Sequence, residues 1–451
     1  EAIIMLESPK SIAELTGLFQ KQSLNDANDS DLSYRLAKLY LRNGEFEEAK
    51  SILKKLLKES GDNVKIMVDC ANCYIKTNDT EEANFLLERV LELKPGYVPA
   101  FIALASLNEQ NNNISKQIHF LMLAANAAPD KYEIRLAVAE QLRKHGDLNG
   151  AEAQYKVLLE AFPELETAAF SLGLLLLKKN STTEAATYFK KILNNNPGAF
   201  DAHFNLANCF FRQKKYAAAI NHFRFAMRKA ELTERAMYLS AQCFFKLEDF
   251  DRAVVTMEKL CETDENNVPY KKCLAEFYEV IEEFDMAAEI YSRLLTLAPQ
   301  RAEFYLKLAS CLIKLSEYNK AEKTLSSMFR QHPGNLEGHK ILGELFCHKK
   351  SYKNAVEEYQ RILMFNDKYP GIYINLARVY RETNNKTEEQ KALKHAVDLG
   401  EETPETLLRL GQLELELGIV TSADRFKRIT EIAPESKFAR EAEYYIKHIA
   451  A

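Results

Sequence analysis

Catalysis and metal binding need reactive side chains at set spacings, and this sequence offers few. Cys70-Ala-Asn-Cys73 has the spacing of a redox pair or of half a zinc site, but no second pair with zinc-ligand spacing accompanies it. Cys73, Cys209, Cys243 and Cys311 all fall on one repeating spacing, at a place that most other units fill with leucine. A residue type that recurs in this way acts as a small hydrophobe, and the thiols are expected to be buried and inert. His203 and His339 also occupy equivalent places, which elsewhere hold Met, Phe or Tyr, and are read as packing residues. Glu401-Glu402 and the Glu414/Glu416 pair have no convergent partner, so they read as solvated faces. There is no HExxH, no glycine-rich phosphate loop and no GxSxG elbow. Neither a catalytic residue, a metal site nor a cofactor is expected, and the chain is not expected to be an enzyme.

What is left is recognition, and its side chains must be carried by the elements that the spacing defines. Alanine stands at 49, 83, 151, 185, 219, 253, 287, 321, 355 and 423, all on one 34-residue ruler interrupted only by Gln117 and Glu389. Twelve residues upstream, a second ruler carries Ala37, Ala71, Ala105, Ala139, Gly173, Ala207, Ala241, Ala275, Ala309, Gly343, Ala377 and Gly411. Two helices cross closely only where side chains are small, so one small residue per helix marks each crossing. Pro95, Pro129, Pro163, Pro197, Pro299 and Pro333 keep the same period and stop the second helix of each pair. Twelve units are expected, beginning near 30, 64, 98, 132, 166, 200, 234, 268, 302, 336, 370 and 404.

Leu274-Ala275-x-x-Tyr278, Ala287-x-x-x-Tyr291 and Pro299 resemble the tetratricopeptide pattern, and Leu172-Gly173-x-x-Leu176, Ala185-x-x-x-Phe189 and Pro197 repeat it. The resemblance covers about 30–434 and implies an all-α, right-handed superhelical α-solenoid of tetratricopeptide helix-turn-helix repeats, each burying its apolar face on its neighbours. The chain departs from the pattern in lacking tryptophan; Met67, Phe101, Met237, Tyr305, Tyr373 and Leu407 fill that slot. The bulkier Gln117 and Glu389, beside Asn111 to Asn113 and Asn384-Asn385, predict looser crossings and bends in the units 98–131 and 370–403.

In this family the first helices line a concave groove for extended peptides or partner helices, so the resemblance picks out the groove places. Units five to seven bring Phe170, Phe204 and Tyr238 to one row, Leu174, Asn208 and Gln242 to the next, and Leu177, Phe211 and Phe245 to a third. Lys178, Arg212 and Lys246 form the rim. Aromatics flanked by amides and cations suit a partner with apolar anchors and a hydrogen-bonding backbone. The fourth unit instead offers Leu136, Glu140 and Arg143, and the eighth Lys272, Glu276 and Glu279. Asn205 resembles the groove asparagines of O-linked N-acetylglucosamine transferases, although only Asn375 repeats it, and Phe204 stands where a carboxylate clamp needs lysine. Two readings of these rows stay open: a partner site, or the ordinary packing of such repeats.

The balance of 60 Lys and Arg against 65 Asp and Glu argues against nucleic acid, which needs a concentrated basic surface. No stretch approaches 18 uninterrupted apolar residues, so no membrane span is expected. Free thiols favour a reducing, cytoplasmic setting. Residues 1–29 read as a partial repeat, with a capping box at Ser11 to Glu14 and with Leu15 and Phe19 on the lattice. Residues 30–434 hold the twelve repeats, and 435–451 read as a capping helix whose Phe438, Ala442, Tyr445 and Ile449 share a face. The expected function is a protein-interaction scaffold holding a partner peptide or helix in the groove. The alternative is the regulatory or substrate-recruiting arm of a larger enzyme or signalling protein, with its other domain N-terminal to this chain. The oligomeric state is open.

Overall fold

The computed structural model describes residues 30–419 and 421–449, so the expected partial repeat at 1–29 lies outside the described residues. Twelve helix pairs and a final helix, Lys437–Ile449, make up the secondary structure among these residues, with no strand. None of these helices is long and apolar enough to cross a membrane. The chain divides between Lys229 and Ala230 into two compact halves.

Each half is built alike. Second helices pack on the first helix of their own repeat and on that of the next, and the two alanine rulers lie where they touch. Ala37, Ala71, Ala139 and Ala207 in the first half are fully buried, as are Ala49, Ala83, Ala151, Ala185 and Ala219. Ala241, Ala275 and Ala309 repeat this in the second half with Ala253, Ala287, Ala321 and Ala355. Against each crossing the second helix sets one large side chain, and Leu53, Leu87, Tyr155, Phe189 and Phe223 are fully buried there. The fit is tight: a Cβ on Gly173 would stand 2.7 Å from the Phe189 ring, and one on Gly343 2.4 Å from that of Tyr359.

The turn inside every repeat carries a ruler of its own. Gly44, Asn78, Asn112, Gly146, Asn180, Lys214, Glu248, Glu282, Ser316, Lys350, Asn384 and Gly418 all have positive φ and keep the same period as the alanines. Each follows a first helix, and the next N–H reaches back to that helix: Asp79 to the Tyr74 carbonyl at 2.8 Å, Lys215 to Phe210 at 2.9 Å, Asp249 to Phe244 at 3.0 Å and Ser351 to Phe346 at 2.8 Å. That 6→1 bond closes a Schellman turn and satisfies a carbonyl that the helix end leaves open.

The asparagines at 112 and 384 are therefore not bends but members of this series. Nor is either crossing looser. Ala124 and Ala125 are buried in Ile114–Ala127, Gln117 is itself only 4% exposed, and this helix packs on Val98–Gln110 as closely as any pair in its half. Glu389 is 1% exposed because Arg381 and Arg409 both donate to its carboxylate. Burial alone would raise its pKa, but these bonds hold it below the usual range.

Three boundaries differ from the ruler. Glu231 stands where the ruler expects proline, and the helix expected from 234 begins at Ala230. Pro370 disfavours helical backbone at the residue before it, and with Gly371 left-handed the helix starts at Ile372. In the last repeat Ser422, not Ala423, is buried at the crossing; the second helix sits one residue early, in step with Pro434.

Candidate functional site

In the first half the candidate residues lie on Glu166–Lys178 and Phe200–Arg212, the first helices of two consecutive repeats. Helical spacing puts Phe170, Leu174 and Leu177 on one strip, and Phe204, Asn208 and Phe211 on the next. The strips are not equally open. Leu174 is 41% exposed and Lys178 is exposed, whereas Leu177 and Phe204 are buried, which removes both from any contact surface. Leu177 belongs to the apolar core of its half, and Phe204 meets Phe223 edge-on at 5.8 Å. Phe170 and Phe211 are half-buried, each edge-on to a ring of its own repeat, Phe189 and Tyr216.

The polar members divide as well. Asn205 donates to the carbonyl of Asp201 at 2.8 Å, a bond within its own helix. Asn208 is half-exposed and makes no side-chain hydrogen bond to another described residue. Arg212 donates from Nη1 to the Leu177 carbonyl at 2.9 Å and to Asn180 Oδ1 at 3.4 Å. The rim cation is thereby engaged at the C-terminal end of the preceding first helix, where a positive charge offsets the helix dipole. The open part of the first-half strip is Phe170, Leu174, Lys178, Asn208 and Phe211.

The second half holds Tyr238, Gln242, Phe245 and Lys246, all on Ala230–Lys246. The Tyr238 ring lies 5.5 Å from that of Tyr270. Burial and the adjacent Cys273 thiol hold its hydroxyl above the usual range, while burial pushes Cys273 up to about 12. Gln242 sits beside both. Phe245 stacks on Phe277 at 4.1 Å and meets Phe250 edge-on, so its ring is partly a packing element, while Lys246 is exposed.

The charged rows of the neighbouring repeats are tied down. Glu140 accepts from Tyr155 at 2.6 Å, from Arg143 and from Ser171. Glu279 accepts from Tyr291 and from Lys307, the latter at 2.8 Å, and Lys272 pairs with Glu303 at 2.6 Å. Glu140 and Glu279 receive the hydroxyls of buried tyrosines, a pairing that linear spacing does not show. Two of the carboxylates read as solvated are also engaged: Glu414 is 1% exposed beside Arg425, and Glu401 accepts from the Gly371 N–H at 2.6 Å. The second half also opens a cavity of about 440 Å³ along its first helices, floored by Leu306 and Ile341 and edged by Glu279, Glu303, Lys307 and Glu337. Nothing in the local sequence marks it.

His203 and His339 are 8% and 7% exposed and bond within their own repeats. Seven of the eight free cysteines are buried, and burial pushes Cys73, Cys209, Cys243 and Cys311 each up to about 12. Among the described residues no three His, Cys, Asp or Glu side chains converge as metal ligands do.

Four family profiles, each described as tetratricopeptide repeat, match the chain. One covers residues 43–107 and 282–345, a second 136–199 and 170–230, a third 235–266 and a fourth 370–402. No curated protein matches by sequence. Among solved structures, yeast Tom70 is 16% identical with a TM-score of 0.40, over 93% of this chain and 95% of that one. Naa15/Naa10 bound to HypK-THB gives 14% and 0.46 over 90% and 69%, and the APC/C hetero-tetramer Cut9-Hcn1 gives 15% and 0.37 over 97% and 93%.

Proposed function

Since this chain belongs to the tetratricopeptide repeat family, whose repeats make protein-interaction scaffolds, we propose that it binds a partner's peptide or helix on the face lined by its first helices. The observation that carries this reading is Asn208. It is a half-exposed amide with no internal hydrogen-bond partner among the described residues, set between exposed Leu174 and half-buried Phe211. An amide offers a donor and an acceptor together, which matches the peptide unit of an extended segment, and the flanking apolar groups supply side-chain anchors. Lys178 adds a cation at the edge. In the second half Gln242, with Tyr238 and Phe245, also sets an amide among aromatic rings, but this one is hydrogen-bonded to Tyr238 and Cys273.

The test compares Asn208→Ala with Phe211→Ala in the whole chain, against a protein partner recovered from cells and then purified. Loss of one hydrogen bond in a desolvated contact is worth about 1 kcal/mol. Asn208→Ala should weaken binding by that amount and leave Tm unchanged, whereas Phe211→Ala should lower both. If Asn208→Ala binds like the parent chain, and photo-crosslinks from the partner fall only on second helices, the first-helix reading is wrong.

A further inference from the structure

A hollow of about 830 Å³ in the first half lies between the second helices Phe46–Ser60 and Thr80–Leu93. Its base is apolar, with Leu57, Tyr74 and Leu86 over the buried thiol of Cys70. Lys54 and Lys58 stand one helical turn apart on one wall, both exposed and neither ion-paired with a described residue; the Lys54 ammonium lies 4.9 Å from the centroid of the Tyr74 ring. Phe85 projects from the opposite brim, 70% exposed. No other repeat has a phenyl ring at its place; Ser51, Thr187, Asn221, Glu289, Glu357 and Lys391 are among the residues found there.

Six repeats later the second half has a hollow of the same kind, about 580 Å³, between Phe250–Thr263 and Phe284–Leu297. Tyr278 and Ile290 occupy the places of Tyr74 and Leu86, so the apolar base is kept. Glu258 and Glu262 replace Lys54 and Lys58, and Glu289 replaces Phe85. Two of these charges are satisfied internally: Tyr278 donates to Glu258 at 2.6 Å and Arg293 pairs with Glu289 at 2.6 Å. Stacking of the repeats thus accounts for the shape of the hollow but not for the lysines and the bare phenyl ring of the first one.

We propose that the first-half hollow is a second docking surface, which takes an acidic amphipathic helix from a partner protein. Two lysines about 6 Å apart along a helix match carboxylates at i and i+4 of a helix laid beside it. Apolar residues on the inner face of that helix would cover Leu57, Tyr74 and Leu86 and bury Phe85, the kind of aromatic anchor that carries interface energy. An anionic membrane surface fits less well, because Glu81 and Glu82 line the opposite wall and would meet lipid phosphates. A bound helix can offer cations to that wall and carboxylates to the other.

The experiment uses the full chain and a synthetic helical peptide of about five turns, with a leucine stripe, glutamates along one flank and lysines along the other. A peptide with all glutamates changed to lysine is the control, and vesicles containing phosphatidylserine are the competing surface. The acidic peptide should bind in a salt-sensitive manner, slow hydrogen exchange in 51–58 and 81–86, and bind more weakly by about tenfold to K54E/K58E. That variant installs the residues that the second hollow already carries, so its fold should be kept. Phe85→Glu, after Glu289, should weaken binding with both lysines in place. No binding at about millimolar peptide, equal affinity of the parent chain and K54E/K58E, protection on the first helices, or binding of vesicles but not of the peptide would each overturn the proposal.

Discussion

Nδ1 of His203 lies 2.8 Å from Nδ1 of His222, while Nε2 of His203 is 3.1 Å from the Pro197 carbonyl. A carbonyl only accepts, so Nε2 carries a proton, and neutral His203 then accepts the proton of His222 on its other nitrogen. The short line between the rings has room for one proton. Protonating both Nδ1 atoms would set N–H against N–H.

This arrangement predicts a local loss of stability in acid. Burial holds His222 below the ordinary histidine range, with His203 and Lys190 acting in the same direction. The unfolded chain takes up a proton near pH 6.5 and the folded one resists it, so this stabilisation is complete above about 6.5 and falls as the pH drops below that value. Protection of the amides over 200–229, taken relative to the intrinsic exchange rate at each pH, should fall between about pH 7 and about pH 5. His222→Glu should blunt this loss of protection: at the equivalent place Glu358 faces His339 at 2.6 Å, and a carboxylate can accept from a protonated ring. An unchanged pH response in that variant would place the acid sensitivity elsewhere.

The packing rulers are legible in the sequence because steric exclusion acts residue by residue: where two helices cross, only a small side chain fits. The turn ruler is hidden because the left-handed conformation costs non-glycine residues only about 1–2 kcal/mol, little enough for Gly, Asn, Lys, Glu and Ser all to occupy it. Spacing locates the first-helix strip but not which of its members face outward, since the burial of Leu177 and Phe204 and the engagement of Arg212 depend on neighbouring helices. The slip from Ala423 to Ser422 is announced only by the displaced Pro434.

The thiols provide a direct check on burial. Cys73, Cys209, Cys243 and Cys311 are 0%, 0%, 0% and 2% exposed, and with each pushed up to about 12 almost no thiolate is present at neutral pH. A thiol reagent should modify them slowly in the native chain and quickly in denaturant, with the half-exposed Cys347 reacting before them. Fast native labelling of all four is the contrary result.

The turn ruler makes a stability prediction of its own. Lys214, Glu248 and Lys350 have φ of 59°, 60° and 57°, a conformation that glycine adopts without a Cβ clash. Lys214→Gly should stabilise the chain by about 0.5–1 kcal/mol, the relief of strain being partly offset by the greater freedom of glycine in the unfolded chain. Gly146→Ala, at the same place two repeats earlier, should destabilise it by about 1 kcal/mol. Chemical denaturation of the two variants in parallel decides the matter; shifts of the same sign in both would contradict the role given to this place.

The helix Lys437–Ile449 provides the last prediction. It buries Ala439 and Ala442 against the final repeat, and its Tyr445 stacks on Phe426 at 4.8 Å, with Phe438 and Ile446 packed beside them. Gln412 of that repeat donates to Glu441 at 3.1 Å at the edge of the contact, and the helix covers an apolar face that would otherwise meet water. In a stacked array each repeat leans only on its neighbours, so damage at this contact should spread from it rather than strike the whole half at once. Deleting 437–451 should therefore raise hydrogen exchange first over 404–434, where Phe426 and Ile429 lose their cover, then over 370–403, and leave 268–335 close to the parent chain. Ala442→Glu, which sets a carboxylate at a fully buried place, should reproduce the same order with the helix still present. Equal loss of protection from 268 to 434 in both variants would mean that the second half unfolds as one block, and the nearest-neighbour account of its stability would fail.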